Sequence, residues 1–469
     1  MKKILILVVI WGIGIILVSN ASSQEKAASP PLTLEECIQL ALKNRPELEM
    51  ATLDILNAEY QIKEATSYYY PRLNVNAGYT RFNRPERFAF DVDIDVSKIT
   101  GPANIVLGQS GITLPLSIQQ AFEVNIGKTN WFSASVDLNQ PVYTFGRIEE
   151  GVNQARIGRS IAVNQKVKKR EEIVFEVKKG YCQFILAKEV QHLMKEAEAR
   201  AGVVAKMVKI AYETSIPEKE EKGTTQLDYL KAKNFHSELK ARLSEASKNV
   251  KLAELGLKMA MGIVTEQPLS IVEVSLQSMP MILLNPGELK GKVREGNIDL
   301  KNLDLGVQLF DSKRKGAKSE YLPKIGLQGQ YLGPEDRYGT PNVWYLGIGI
   351  TMPLFDGFLT RAKVGQAEAQ FHKTSGQKVL LESALSVQVD HLHSTLMELK
   401  ERGSILQGAI QDAQERTQLA ADGYAAGITE YDELLLAQKT ELEMRSAYLQ
   451  SLYLYQATKS EIEFISGDI

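Results

Sequence analysis

The chain is built from two copies of one pattern, and this internal repeat limits the folds open to it. The copies align at offsets that fall from 252 to 212 and then 205 residues, because the first copy carries insertions of about 40 and of seven residues. The aligned pairs, in chain order, include Thr33 and Asn285, Pro71 and Pro323, Val136 and Ile348, and Gly262 and Gly467. Such self-similarity indicates two supersecondary units of one kind. Each unit is expected to run short helix, strand, loop, strand, long helix, tip, long helix.

The first residues have the form of an export signal. Lys2 and Lys3 precede an uncharged run from Ile4 to Val18, and small residues follow up to Gln24. The run is shorter than the roughly 20 residues that cross a bilayer as a helix. We therefore expect a signal peptide over residues 1–23, with an uncleaved N-terminal anchor as the alternative.

The repeat also sets the expected division of the exported chain. The first copy covers residues 24–262, an equatorial linking segment covers 263–284, and the second copy covers 285–469. Near-equal numbers of basic and acidic residues, 55 against 57, argue against a nucleic-acid partner. With five His and two Cys the chain has few candidate metal ligands, which argues against a metal centre, and the sequence shows no catalytic constellation. We expect neither an enzyme nor a cofactor.

The predicted strands alternate apolar residues with small polar ones over about nine positions, which is typical of transmembrane β-strands. A soluble, half-buried sheet is the alternative. Four strands cannot close a barrel, and lipid does not tolerate an open sheet edge, so strands in a membrane must be pooled by several copies. The residues expected to face lipid are Leu73, Val75, Phe132, Val136, Ile325, Leu327, Trp344 and Ile348.

The predicted helices are very long. No proline lies between Pro141 and Pro217 or after Pro353, and apolar residues recur at steps of three and four. A helix from about residue 152 to 210 would measure ~90 Å at 1.5 Å per residue. A fibrous coiled coil is the alternative, but it does not account for four strands at the end of the hairpins.

Several doubled motifs resemble those of one family, the TolC-like outer-membrane efflux proteins. Leu32–Asn44 resembles their first helix. The helix-to-strand elbows are matched by 70–73 and 322–325, the strand-to-helix elbows by 140–147 and 353–357, and a periplasmic tip by 424–429 with 433–437. The resemblance implies a mainly α fold with transmembrane β-structure. It further implies a homotrimer in which a 12-stranded β-barrel is continued by a 12-helix α-barrel.

The same resemblance implies a function and a location. The protein would be a passive exit duct in the outer membrane of a Gram-negative-type cell, with its tunnel in the periplasm. An inner-membrane transporter and a periplasmic adaptor would complete a tripartite efflux or type I secretion system. The alternative is a periplasmic adaptor, which carries one long helical hairpin rather than two. The substrate stays open.

The resemblance places function at the tips. Small residues there would let the adaptor's helices approach closely, and the expected contacts are Gly223, Thr224, Asp228, Gly427, Ile428 and Thr429. The second tip is acidic and contains no Lys or Arg from residue 422 to 433. In a trimer its acids would form a closable, cation-selective constriction, with Tyr424 bonding neighbouring hairpins. The residues assigned to this constriction are Asp422, Tyr424, Glu430, Asp432 and Glu433. A solvated acidic helix end is the alternative.

Overall fold

A computed structural model describes residues 31–81, 130–214, 224–264, 269–272, 274–279, 285–333 and 343–468. The predicted signal peptide and Gly223 lie outside the described residues, as does the side chain of Phe132.

Most of the described chain is helical, as the sequence predicts, and one order of elements occurs twice. The first series is α1 (Leu34–Asn44), α2 (Pro46–Ser67), β1 (Arg72–Arg81), β2 (Asn130–Tyr143), α3 (Arg147–Thr214) and α4 (Gln226–Ala260). The second series is α5 (Pro286–Gly296), α6 (Ile298–Lys318), β3 (Lys324–Leu332), β4 (Val343–Thr351), α7 (Leu359–Ala425) and α8 (Tyr431–Ser466).

Each series opens with two helices where the sequence pattern suggested one. In the first series Arg45 separates them and has extended backbone angles, because Pro46 disfavours helical geometry in the residue before it. Pro46 itself suits the first turn of α2. In the second series Asn297 separates α5 from α6, and its side chain accepts a hydrogen bond from the Leu300 backbone at 3.1 Å.

The two longest helices, α3 and α7, organise the others. At 68 and 67 residues each extends about 100 Å. Next to the strands, α2 packs on α3, and α6 lies between α3 and α7. Towards the tips, α4 packs on α3, and α8 lies between α3 and α7. The helices therefore form two successive rows of four, and narrow apolar seams hold them, such as the one that contains Val177, Leu257 and Leu452.

The strands form one antiparallel sheet in the order β1-β2-β3-β4. Paired residues share a face, so Val75, Val136, Tyr331 and Trp344 line one apolar row across all four strands. Of the residues expected to face lipid, Leu73, Val75, Val136, Trp344 and Ile348 are exposed, whereas Ile325 and Leu327 are half-buried. The opposite face carries Asn, Gln, Ser and Gly. Among the described helices none is long and apolar enough to cross a membrane.

The end of each hairpin packs on the junction between the two short helices of its own series. Gly262, with φ of +66°, lies against Asn44 at the end of α1. Gly467, with φ of +70°, lies against Gly296 at the end of α5. A Cβ atom on Gly296 would lie 1.7 Å from the carbonyl oxygen of Ser466. Both crossings therefore bring backbone against backbone.

We expect the Gly296→Ala substitution to destabilise the protein, because the methyl group meets backbone that cannot turn away. Overpacking of this kind costs about 1–3 kcal/mol. Gly291→Ala, in the same helix, is the matched control, since its Cβ meets nothing within 4 Å and alanine favours helix. Thermal unfolding of the detergent-solubilised proteins, followed by circular dichroism, should show a lowered midpoint for the first variant only. Equal midpoints would contradict the backbone crossing.

Candidate functional site

The second tip is a tight turn between α7 and α8 in which a glycine is required. Gly427 has φ of +71°, a region that favours glycine. The backbone N–H of Gly427 donates to the Tyr424 carbonyl at 3.0 Å, and that of Ile428 donates to the Gly423 carbonyl at 2.8 Å. These two bonds are the Schellman pattern that ends a helix. The turn leaves Ile428 as its outermost apolar side chain, 78% exposed.

Gly423 and Thr429 close this turn from the inside. A Cβ atom on Gly423 would lie 2.1 Å from the Thr429 hydroxyl oxygen. Of the predicted tip contacts, Thr429 therefore packs within the turn, whereas Ile428 points into solvent.

At the first tip the described residues begin at Thr224 and continue into a capping box. The Thr225 hydroxyl accepts a hydrogen bond from the Asp228 backbone at 3.2 Å, and the Asp228 carboxylate accepts one from the Thr225 backbone at 3.0 Å. Asp228, a predicted contact residue, thus holds the start of α4.

At the tips, two polar contacts between described residues join the first hairpin to the second. The hydroxyl oxygens of Thr224 and Tyr424 lie 3.3 Å apart. The Lys231 ammonium donates to both carboxylate oxygens of Asp432, at 2.6 and 2.7 Å. Burial raises the pKa of Tyr424, so its hydroxyl keeps its proton, and the bond to Asp432 raises the pKa of Lys231. At neutral pH Tyr424 is therefore protonated and Lys231 is charged.

An aromatic cluster supports these contacts from within. Tyr431, only 3% exposed, packs edge-on against Tyr424 with ring centroids 5.8 Å apart. Val208 of α3 and Ala232 of α4 complete the cluster, so the start of α8 is anchored on the first hairpin. Tyr431 is not among the residues predicted from the sequence to have a function, although its spacing of three and four from Leu434 and Leu435 places it on their apolar stripe.

The acids of the second tip have partners that the local sequence does not contain. Arg416 binds Glu433 at 2.7 Å, and Lys231 binds Asp432 from the other hairpin. The Gln418 amide donates to Asp422 at 2.9 Å. Glu430 has no ionic partner among the described residues. The tip thus keeps an acidic excess, but two of its four carboxylates are neutralised within one chain.

Within the described ranges no three His, Cys, Asp or Glu residues are grouped to hold a metal ion. Cys37 and Cys182 are buried free thiols, and burial raises the pKa of each to about 11.

The fold defines a class of proteins in which a four-stranded sheet with an exposed apolar face is joined to two long helical hairpins. The sequence profile described as outer membrane efflux protein matches residues 37–263 and 289–468. The chain therefore belongs to the outer membrane efflux protein family.

Solved structures of low sequence identity share the fold. The outer membrane protein VceC of Vibrio cholerae matches with a TM-score of 0.73 at 16% identity, over 92% of this chain and 96% of that one. The CmeC outer membrane channel of Campylobacter jejuni gives 0.68 at 16%, over 99% and 94%. The open state of the MtrE outer membrane channel of Neisseria gonorrhoeae gives 0.70 at 17%, over 92% and 88%. No curated protein sequence matches the chain significantly.

Family membership confirms three predictions from the sequence: the resemblance itself, the outer-membrane location and the function in efflux. The alternative of a periplasmic adaptor is not favoured. The family comprises efflux proteins rather than enzymes.

We expect Gly423→Ala to loosen the second tip, because the added methyl displaces Thr429. Gly408→Ala in the same helix is the control, since its Cβ meets nothing within 4 Å. Limited trypsin digestion should cleave after Arg416 at least ~10-fold faster in the first variant, as expected for a loss of about 1.4 kcal/mol in local stability. Unchanged cleavage would show that the turn does not depend on this close approach.

Proposed function

We propose that three copies of this chain form a passive exit duct through the outer membrane. Each copy contributes four strands to a twelve-stranded barrel and two long hairpins to a twelve-helix tunnel. In this proposal residues 24–262 and 285–469 are the two repeats, 263–284 is the equatorial segment between them, and residues 1–23 direct export.

The single observation that carries the proposal is the sheet. Its apolar face exposes side chains such as Val75 and Ile348, 75% and 74% exposed in the isolated chain. In the described sheet β1 and β4 each pair on one side only. An apolar surface suits lipid, but unpaired edge groups in lipid cost several kcal/mol each. Pairing β1 of one copy with β4 of the next removes every edge.

The helices support the same assembly. In the row of helices next to the strands, the outer helix α2 exposes the apolar residues Met50, Leu53 and Tyr60. At the other edge, α7 exposes Val379, Leu380 and Val387. Exposed apolar stripes on both outer helices of a row favour association with further copies.

The partners follow from the duct's passive nature. An inner-membrane transporter would supply energy and substrate, and a periplasmic adaptor would bridge it to the tips. Exposed Ile428 and the narrow turn at Gly427 favour adaptor binding there, with Thr224, Asp228 and Thr429 shaping the surface around them. Gly223 belongs to the same proposed contact. The proposal covers tripartite efflux and type I secretion alike.

We expect the full-length protein to be recovered from the outer-membrane fraction as a heat-resistant trimer. Detergent-extracted protein should migrate without heating at about three times the mass of a chain of 52.2 kDa or less after processing. The reason is that each chain has two open sheet edges and no means of closing them alone. A stable monomer, or recovery from the soluble periplasm, would contradict the duct.

We further propose that the tips form its gate. Tyr424 and Asp432 hold the second hairpin to the first through Thr224 and Lys231. The acids left without an ionic partner among the described residues, Asp422 and Glu430, favour cations in the closed passage, and Glu433 lies beside them in its ion pair with Arg416. Opening of the gate would break both contacts, Tyr424 with Thr224 and Asp432 with Lys231. The competing interpretation is a solvated acidic helix end, in which these contacts lie outside the ion path.

Three substitutions distinguish the effect of the contacts between hairpins from the effect of charge at the tips. Tyr424→Phe, Lys231→Ala and Asp432→Ala each break a hairpin contact, so all three should raise single-channel conductance in planar bilayers. Their reversal potentials in a salt gradient should differ. Lys231→Ala removes a cation and should strengthen cation preference, Asp432→Ala should weaken it, and Tyr424→Phe should leave it unchanged.

The order of the reversal potentials is the decisive result. If Lys231→Ala and Asp432→Ala keep the wild-type reversal potential, these groups do not border the ion path and the solvated-end interpretation stands. If conductance is unchanged in all three, the contacts do not restrain the gate.

A further inference from the structure

A single carboxylate lies within the polar face of the sheet. Strand pairing places Asn74, Asp137, Gln330 and Tyr345 side by side, one from each strand. Asp137 is the charged member of this polar row. On the same face, the residues above and below it along β2 are Ser135 and Asn139, both uncharged.

Amides from both neighbouring strands hold the Asp137 carboxylate in place. The Gln330 amide of β3 donates to Oδ1 at 2.6 Å. The Asn76 amide of β1 donates to Oδ2 and also lies 3.4 Å from the Ser135 hydroxyl. Each carboxylate oxygen thus accepts a bond from a neutral donor, which orients the charge without cancelling it.

The described basic side chains on the same face of the sheet do not pair with Asp137. Arg72 shares the polar face near the base of β1, but its guanidinium lies over the Tyr68 ring, 4.4 Å from the centroid. Lys324 is at the base of β3, three rows below Gln330. Among the ion pairs of the described residues none includes Asp137. A carboxylate without a cationic partner in a membrane-spanning strand commonly marks an ion path.

We propose that Asp137 sets a cation preference in the strand-lined part of the duct, separate from the acids at the tips. The inference rests on the proposed trimer, since three copies bring three such carboxylates to one level around a shared lumen. Rings of carboxylates favour cations and disfavour anions in a pore. The solutes that the ring would favour are inorganic cations and organic amines.

Salt should control the strength of this preference. A twelve-stranded barrel is wide, so the three charges act across solvent rather than by direct contact. The Debye length is about 30 Å at 0.01 M salt and about 3 Å at 1 M. The field of the ring should therefore fill the lumen in dilute salt and vanish in concentrated salt.

The test is Asp137→Asn in the Tyr424→Phe background, which loosens the tip without altering its charge. In a dilute potassium chloride gradient we expect the potassium-to-chloride permeability ratio to fall by about two-fold or more, and the difference to disappear near 1 M salt. Gln330→Leu is the matched control, because it removes one donor and leaves the carboxylate. It should keep the cation preference.

Block of the current by spermine, a linear polyamine, provides a second measurement, because spermine can be added to either side of the membrane. Added on the extracellular side, it should reduce the current through channels that retain Asp137, and Asp137→Asn should relieve that block by several-fold. Added on the tip side, it should still block the variant through the tip acids. This difference between sides separates the strand carboxylate from the gate.

The inference would be overturned if Asp137→Asn forms trimeric channels and changes neither the reversal potential in dilute salt nor the block by extracellular spermine. That result would leave the proposed duct intact. Loss of cation preference in Gln330→Leu as well would assign the effect to the polar row rather than to the charge, and would also overturn it. Failure of the parent protein to form trimers or channels would overturn both proposals.

Discussion

The edges of a four-stranded sheet are the constraint on which the rest of this structure depends. Backbone N–H and C=O groups at β1 and β4 need partners, and lipid cannot provide them. The apolar face made by residues such as Val75 and Trp344 is exposed in the isolated chain, and lipid is a surrounding that suits it. The closure with other copies that we propose would meet both demands.

The helices are attached more firmly near the middle of the molecule than at the tips. Of the helices that the structure describes, α3 and α7 alone extend through both rows, and the shorter helices lie beside their two halves. Backbone crossings at Gly262 and at Gly296 lock the end of each hairpin to the short helices of its own series. Among the described residues, the tips are joined by the Tyr431 cluster, by the packing of Val204 against Leu434 and by two polar contacts between side chains. Rigid attachment near the middle and lighter attachment at the tips suit a duct that opens at one end.

Sequence periodicity was enough to predict the strands and the long helices, because both depend on neighbours close in the chain. It did not predict the break at Arg45, where the restriction imposed by Pro46 outweighs the continuing helical pattern. It also could not supply Lys231 for Asp432, 201 residues away, since that pair depends on how two hairpins align. The sequence of residues 422–433 therefore gave no sign that two of its carboxylates are paired with basic side chains from outside this stretch.

Inter-chain disulfide formation between the edge strands tests the central claim most directly. Within one sheet β1 and β4 are separated by two strands, about 14 Å at ~4.8 Å per strand, beyond the reach of a disulfide. One cysteine at Ala77 in β1, combined with one at successive positions of β4, can therefore link only different copies. Oxidation should produce a covalent species of three chains at one register, and variants that carry only one of the two introduced cysteines should produce none, since Cys37 and Cys182 are buried. The account would be contradicted if no register gave cross-linked chains in protein purified from the outer membrane.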